Sequence, residues 1–209
     1  MNEFVKERGR LAAQSLIKAL KKRNMTGFYA EDSDEAKRIA LEIVPKGATV
    51  TMGGCTTARE IGLTDALSSP EYRFIDRDKY SDKRQAMLAA YDCDFYISSA
   101  NAVSEDGEIV NVDGNANRIS AIACGPRNVL FIIGINKLCR DLDSAVKRAR
   151  GVAAPINVQR FGLKTPCSST GICADCKSPD TICCQILITR FSRDPERIKV
   201  IVVNESLGF

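Results

Sequence analysis

The chain has 209 residues, 44% of them hydrophobic and 27% charged, which is enough to fill a core and too apolar for a disordered chain. Its net charge of +4, with no dense Lys/Arg tract and no interleaved aromatics, gives no footprint for nucleic acid. It contains no histidine, which excludes Ser-His-Asp and Cys-His catalysis, Cys-His zinc sites and C-x-x-C-H haem attachment, and leaves proton transfer to carboxylates, Cys, Lys or Tyr.

The opening MNEFVKERGRLAAQSLIKALKKRN is charged from Glu3 and has no apolar h-region, so residues 3–23 read as a packed helix and not a secretory signal. No run of about 18 apolar residues occurs, so no membrane span is expected, and a cytoplasmic location is. Phe28 and Tyr29 suggest a short strand. Asp32 and Glu35 have capping-box spacing for a second helix to about Val44, ended by Pro45-Lys46-Gly47, so residues 1–45 form an N-terminal, mainly helical segment. ATVTMGGCTTAREIGL then reads strand, glycine turn, helix. Short strands are expected at Arg73–Asp76 and Phe95–Ser99, with a helix started by Ser81 between them. EDGEIVNVDGNANR reads as two turns around a strand from Glu108 to Val112, followed by a helix at Ile119–Cys124. NVLFIIGIN is the most apolar run and reads as a buried parallel strand. DLDSAVKRARGVAAPINVQRF is a helix broken near Gly151 and Pro155, and ILITRF and KVIVVNES form a final strand pair. Strands alternate with helices as far as Phe131, so the chain is predicted to be one α/β domain over residues 1–209, a mostly parallel sheet flanked by helices.

Ligands of open parallel sheets collect at the carboxyl ends of strands. The turn Gly53-Gly54-Cys55-Thr56-Thr57 falls at such an end; its glycines let backbone N–H groups approach an anion, and its hydroxyls add donors. It is neither a P-loop nor a G-x-G-x-x-G, and a plain tight turn with Thr caps competes evenly with the anion reading. Two more polar turns follow, Ser98–Asn101 leading to Ser104-Glu105-Asp106-Gly107, and Asn111–Arg118. Such turns are common, but Asn101, Glu105, Asp113, Asn115 and Arg118 crowd around one short strand, and a Glu105–Asp113 carboxylate pair would serve as base or nucleophile.

Five of the nine cysteines fall between Thr165 and Cys184, an excursion of a length that is unusual in a compact domain unless it is functional or cross-linked. A reducing compartment and an odd thiol count favour metal or catalytic use over disulfides. Cys167, Cys173, Cys176 and Cys183 have the spacing C-x5-C-x2-C-x6-C, which suits a four-thiolate site for zinc or an iron–sulfur cluster; a redox dithiol is a third reading. From Ser144 to Ala174 there is no acidic side chain, while Lys147, Arg148, Arg150, Arg160 and Lys164 are present; positive charge there would favour thiolates, or form a solvated basic face. Cys93, Cys124 and Cys139 stand singly near apolar runs as core fillers.

The stretches GGCTTAREIG, SSANAVSEDGEIVNVDGNANRISAIACGP, NVQRFGLKTPCSSTGICADCKSPDTIC and VNESLGF together resemble the lactate-utilisation (LUD) domain family, over nearly the whole chain after the first helices. The resemblance implies a fold like that of ribose-phosphate isomerases and CoA transferases, in which the first glycine turn cradles phosphate or CoA. Ser104-Glu105-Asp106-Gly107 is similar to the Ser-Glu-Asn-Gly-like turn whose Glu is the nucleophile of CoA transferases, with Asp106 departing from the Asn. The family association with lactate oxidation implies a role in lactate or related organic-acid metabolism beside iron–sulfur redox partner proteins. It also places a 4Fe-4S cluster ahead of zinc, on Cys167, Cys173, Cys176 and Cys183 with Cys184 spare. The competing expectation is an acyl-CoA transferase or sugar-phosphate isomerase using Glu105, with zinc only stapling the loop. A third is a non-catalytic subunit whose loop docks a partner. A homo-oligomer is left open.

Overall fold

The computed structural model describes residues 2–209, the side chains at 78 and 83 excepted. The first half of the chain runs α1 (Glu3–Lys22), β1 (Thr26–Ala30), α2 (Ser33–Ile43), β2 (Thr49–Met52), α3 (Thr56–Glu60), α4 (Leu63–Leu67), β3 (Arg73–Ile75), α5 (Lys83–Tyr91), β4 (Phe95–Ser98), β5 (Ala102–Ser104) and β6 (Ile109–Asp113). The second half runs α6 (Asn117–Cys124), β7 (Asn128–Gly134), β8 (Leu138–Cys139), α7 (Leu142–Arg148), α8 (Ala154–Phe161), α9 (Pro166–Thr170), β9 (Gln185–Thr189) and β10 (Ile198–Val203). Among these residues no helix is long and apolar enough to cross a membrane.

Six strands in the order β1-β10-β7-β4-β2-β3 form the main sheet, and each neighbouring pair is parallel. The apolar run of β7 is buried on both faces, as a parallel strand with helices on both sides demands. Leu130 and Ile132 face one way, with Ile201 and Val203 of β10, and pack on Ala36 and Ala40 of α2. Val129, Phe131 and Ile133 face the other way, with Val200 and Val202, and pack on Ala13, Leu16 and Leu20 of α1 and on α6. The mostly parallel α/β sheet flanked by helices is thus present. Residues 1–45 supply β1 to it as well as two helices.

A second sheet, β8-β5-β6-β9, was not legible in the sequence. β5 and β6 form an antiparallel hairpin, β9 runs antiparallel to β6, and β8 pairs with β5. One face, with Val103, Ile109 and Leu187, joins the core beneath the main sheet; the other, with Ala102, Val110 and Val112, packs on Ala145 and Ala149. Strands as short as β5 and β8 carry no periodic signal. The expected final pair is split: β9 lies in the second sheet, while β10 is inserted between β1 and β7 in the first.

Other details differ locally. Asp32 caps α2 by accepting from Glu35 N at 2.9 Å, but Glu35 accepts in return from Glu31 N, one residue before the position a capping box uses. Asp82, not Ser81, caps α5. Cys93 is buried and Cys139 partly so, whereas Cys124 is exposed at the end of α6 and fills no core. The helix expected to break near Gly151 and Pro155 instead runs on from α7 to α8 through a π-helical turn at Ala149–Ala153. Proline has no N–H to donate, and the wider turn just before it absorbs the change in hydrogen bonding without ending the helix.

Candidate functional site

The carboxyl ends of β2, β4 and β7 and the tail after β10 surround an open cleft. One wall is the glycine turn Gly53–Thr57, closed by a hydrogen bond from Cys55 N to Gly53 O at 2.8 Å. A Cβ on Gly53 would lie 2.8 Å from Tyr96 Oη, so only glycine lets the backbone rest on that ring. Ser98, Ser99 and Asn101 follow β4 into the cleft, and Lys137 follows β7. Gly208 and Phe209 come from the tail, and Asn157 from α8.

Lys137 was missed by the sequence reading. It is only 1% exposed, and its Nζ donates to Ser99 Oγ at 2.9 Å and Thr57 Oγ1 at 3.1 Å. Those are its hydrogen-bond partners among the described residues, so the third ammonium proton is available to a ligand. Burial pulls its pKa down to about 8; the neighbouring Cys55 thiol opposes the shift and Arg148 adds to it. No lining side chain is a carboxylate. The signal that could have found Lys137 is its place just past the carboxyl end of the most apolar strand, where a cation has few reasons to be buried.

Of the residues singled out from sequence, Gly53, Gly54, Cys55, Thr56, Thr57, Asn101 and Arg118 line this cleft. Cys55 is buried, which pushes its thiol pKa up. Asn101 Oδ1 accepts from Val112 N at 2.8 Å and from Arg118 at 2.9 Å, and Arg118 donates further to Val112 O at 2.6 Å. Asp113 is used locally: its carboxylate accepts from the backbone N–H of Asn115, Arg118 and Ile119 at 3.0, 3.1 and 3.3 Å and lies 3.8 Å from Arg118 Nε. It closes the start of α6 after Ala116, which has φ of 60°, and thereby aims Arg118 at the cleft. Asn115 is exposed and outside the cleft. Glu105 is exposed in the β5–β6 hairpin turn, at the opposite end of β6 from Asp113. The two carboxylates therefore do not form the pair that their crowding in sequence suggested. Glu105 also faces none of the cleft.

The basic stretch from Lys147 to Lys164 is not one solvated face. Lys147 pairs with Asp143 at 2.6 Å, and Arg148 turns inward to donate to Asn101 O at 2.5 Å and Asn136 O at 3.1 Å. Arg150 pairs with Asp175 in the cysteine excursion. Arg160 reaches the glycine turn, donating to Thr56 Oγ1 at 3.1 Å and Gly54 O at 3.3 Å.

The excursion from 165 to 184 is held at both ends. Lys164 N donates to Asp180 Oδ2 at 3.1 Å, Gln159 of α8 donates to Ser168 O at 2.5 Å, and Gln185 after the loop pairs with Asp113. Cys167 is buried and Cys173, Cys176 and Cys183 are partly buried, while Cys184 is exposed. Burial pushes the Cys183 thiol pKa up, Cys173 adds to this, Arg150 opposes it, and Cys167 and Cys176 add further. Cys183 therefore lies within the fields of the other three thiols. In donor chemistry the four fit a four-thiolate group beside a cation. Among the described residues, no group of three or more Cys, Asp, Glu or His side chains is placed to hold a metal ion. Helix α8 joins the two regions, sending Asn157 to the cleft, Arg160 to the glycine turn and Gln159 to the turn that carries Cys167.

A family model described as the LUD domain matches residues 13–203. Among solved structures, a DUF162 family protein from Deinococcus radiodurans is similar with a TM-score of 0.56 at 11% identity, over 94% of this chain and 98% of that one. Ribose 5-phosphate isomerase A from Neisseria gonorrhoeae matches over 54% of this chain and 57% of its own at 17% identity, with a TM-score of 0.34. Ribose 5-phosphate isomerase from Plasmodium falciparum matches over 56% and 52% at 15% identity, with the same score. No curated protein matches the sequence.

Proposed function

The chain belongs to the LUD domain family, and from that premise we propose that it binds a small organic anion of the lactate class in the strand-end cleft and acts in organic-acid metabolism with iron–sulfur redox partners. The observation that carries the reading is the buried Lys137 ammonium between Thr57 and Ser99, in a cleft lined by no Asp or Glu side chain. A cation withdrawn from water with a proton to spare is stabilised by an incoming anion, and the adjoining hydroxyls suit a carboxylate with a neighbouring oxygen. Arg118, aimed by Asp113, adds a second cation to the same wall.

On this reading Cys167, Cys173, Cys176 and Cys183 would hold an iron–sulfur cluster, which when bound would supply one-electron transfer. Cys167 lies at the start of α9 and Cys183 at the end of the excursion, and the Arg150 guanidinium near Cys173 and Cys183 would offset negative charge on a bound cluster. Two measurements test the proposal. Calorimetric titration of the protein with L-lactate should give saturable binding that weakens about tenfold or more in Lys137→Met, through loss of a charge-assisted hydrogen bond. Protein purified without oxygen should be coloured and contain iron and sulfide, both lost in Cys176→Ser. Absence of lactate binding sinks the cleft assignment, and a colourless protein with stoichiometric zinc sinks the cluster.

A further inference from the structure

We propose that Lys137 is also a nucleophile: its amine condenses with the carbonyl of a 2-oxo acid, the oxidised counterpart of a lactate-class acid, and holds that acid in the cleft as an imine. This deepens the anion-binding reading above and rests on it for the acid end of the ligand.

Among the residues lining the cleft, Lys137 alone has an amine. Its Nζ donates to Ser99 Oγ at 2.9 Å and to Thr57 Oγ1 at 3.1 Å. Ser99 gives its own proton to Ile132 O at 2.6 Å, and Thr57 directs its proton to Ser99 Oγ at 3.4 Å. Neither hydroxyl is therefore turned to donate to the nitrogen. Two of the tetrahedral directions at Nζ are used by these N–H groups and a third by the side chain itself. The fourth carries the spare proton of the ammonium or the lone pair of the free amine. It serves an anion in the first state and a carbonyl carbon in the second. Gly208 leaves room beside it: a Cβ there would stand 3.1 Å from Nζ, in space that any other residue would fill.

The surroundings favour the free amine. Burial acts first, the fields of Arg148 and Arg118 add to it, and Cys55 and Glu60 oppose it. No Asp or Glu side chain lines the cleft to hold the ammonium. The resulting pKa of about 8 leaves a reactive unprotonated fraction near neutral pH, as imine-forming lysines require. Arg118 lines the same cleft and supplies a guanidinium for the carboxylate of the ligand.

The step consumes no oxidant or reductant. Nζ bonds to the carbonyl carbon, the C=O electron pair moves to oxygen, and one amine proton follows it to give a carbinolamine. The C–O bond then breaks, the hydroxyl leaves with the second amine proton as water, and a C=N bond remains. The Thr56 and Ser98 hydroxyls in the lining can pass these protons.

The test treats the wild-type protein at neutral pH with pyruvate and cyanoborohydride, which reduces an imine to a stable secondary amine. Peptide mass spectrometry then maps the product, and calorimetry with L-lactate, which has no carbonyl, runs in parallel. One carboxyethyl group is expected on Lys137, at a level about tenfold or more above any other lysine, because a lysine at the ordinary 10.5 holds far less free amine. Saturating L-lactate should suppress it. Labelling spread evenly over the lysines, or absent from Lys137 while L-lactate still binds, overturns the imine and leaves the anion-binding reading standing. An adduct on Lys137 that L-lactate fails to suppress also overturns the inference, because the carbonyl acid then does not use the acid-binding cleft. Absence of both the adduct and L-lactate binding overturns both readings.

Discussion

At the scale of the residue, Lys137 sets both a cost and a function. Its pKa is about 8 in the folded chain against an ordinary 10.5, so between those values the unfolded chain holds the proton more tightly. Stability therefore bears the full cost of the buried charge below about pH 8 and rises as pH climbs toward 10.5. Urea midpoints measured across this window should rise in the wild type, and the rise should flatten in Lys137→Met. Anion affinity runs the other way. It should fall above pH 8 as the ammonium is lost, approaching about tenfold per unit if only the charged form binds. Affinity independent of pH in this range would remove Lys137 from the site. Gly208, with φ of 55°, is the second sensitive point. A Cβ there would lie 2.5 Å from Thr57 Oγ1 and 3.1 Å from Lys137 Nζ, so Gly208→Ala should displace both groups and weaken lactate binding severalfold, read by calorimetry.

At the scale of the element, the continuous α7–α8 helix carries the link between cleft and cysteine loop. Its π turn has Gly151 exposed, and a Cβ there would meet nothing within 4 Å. Gly151→Ala should raise stability by about 0.5–1 kcal/mol through helix propensity, measured by chemical denaturation. A loss of stability would mean that the π turn depends on glycine. The sequence marked this helix correctly but read Gly151 and Pro155 as a break, because the i→i+5 hydrogen bonding that tolerates them leaves no periodic trace. The cysteine excursion shows the same division. Its proposed ligand set comes from resemblance alone, whereas its anchors, Asp180 on Lys164 N and Ser168 O on Gln159, depend on how the loop folds back.

At the scale of the whole molecule, two helical layers and a second sheet enclose the main sheet, and Phe131 sits fully buried at their centre. Phe131→Ala should cost about 3–5 kcal/mol by denaturant titration, the loss expected for an aromatic side chain deleted from a packed core. The sequence by itself determined the α/β class, the buried central strand and the glycine turn at a strand end, because hydrophobic runs and glycine turns are local signals. Family membership likewise followed from local strings such as GGCTTAREIG. Only the tertiary structure decided that Lys137 and Arg160 meet that turn, that Asp113 is spent on aiming Arg118, and that Glu105 lies outside the cleft. Those facts depend on contacts between residues far apart in sequence, as Lys137 is from Thr57, and on two-residue and three-residue strands too short to leave a pattern.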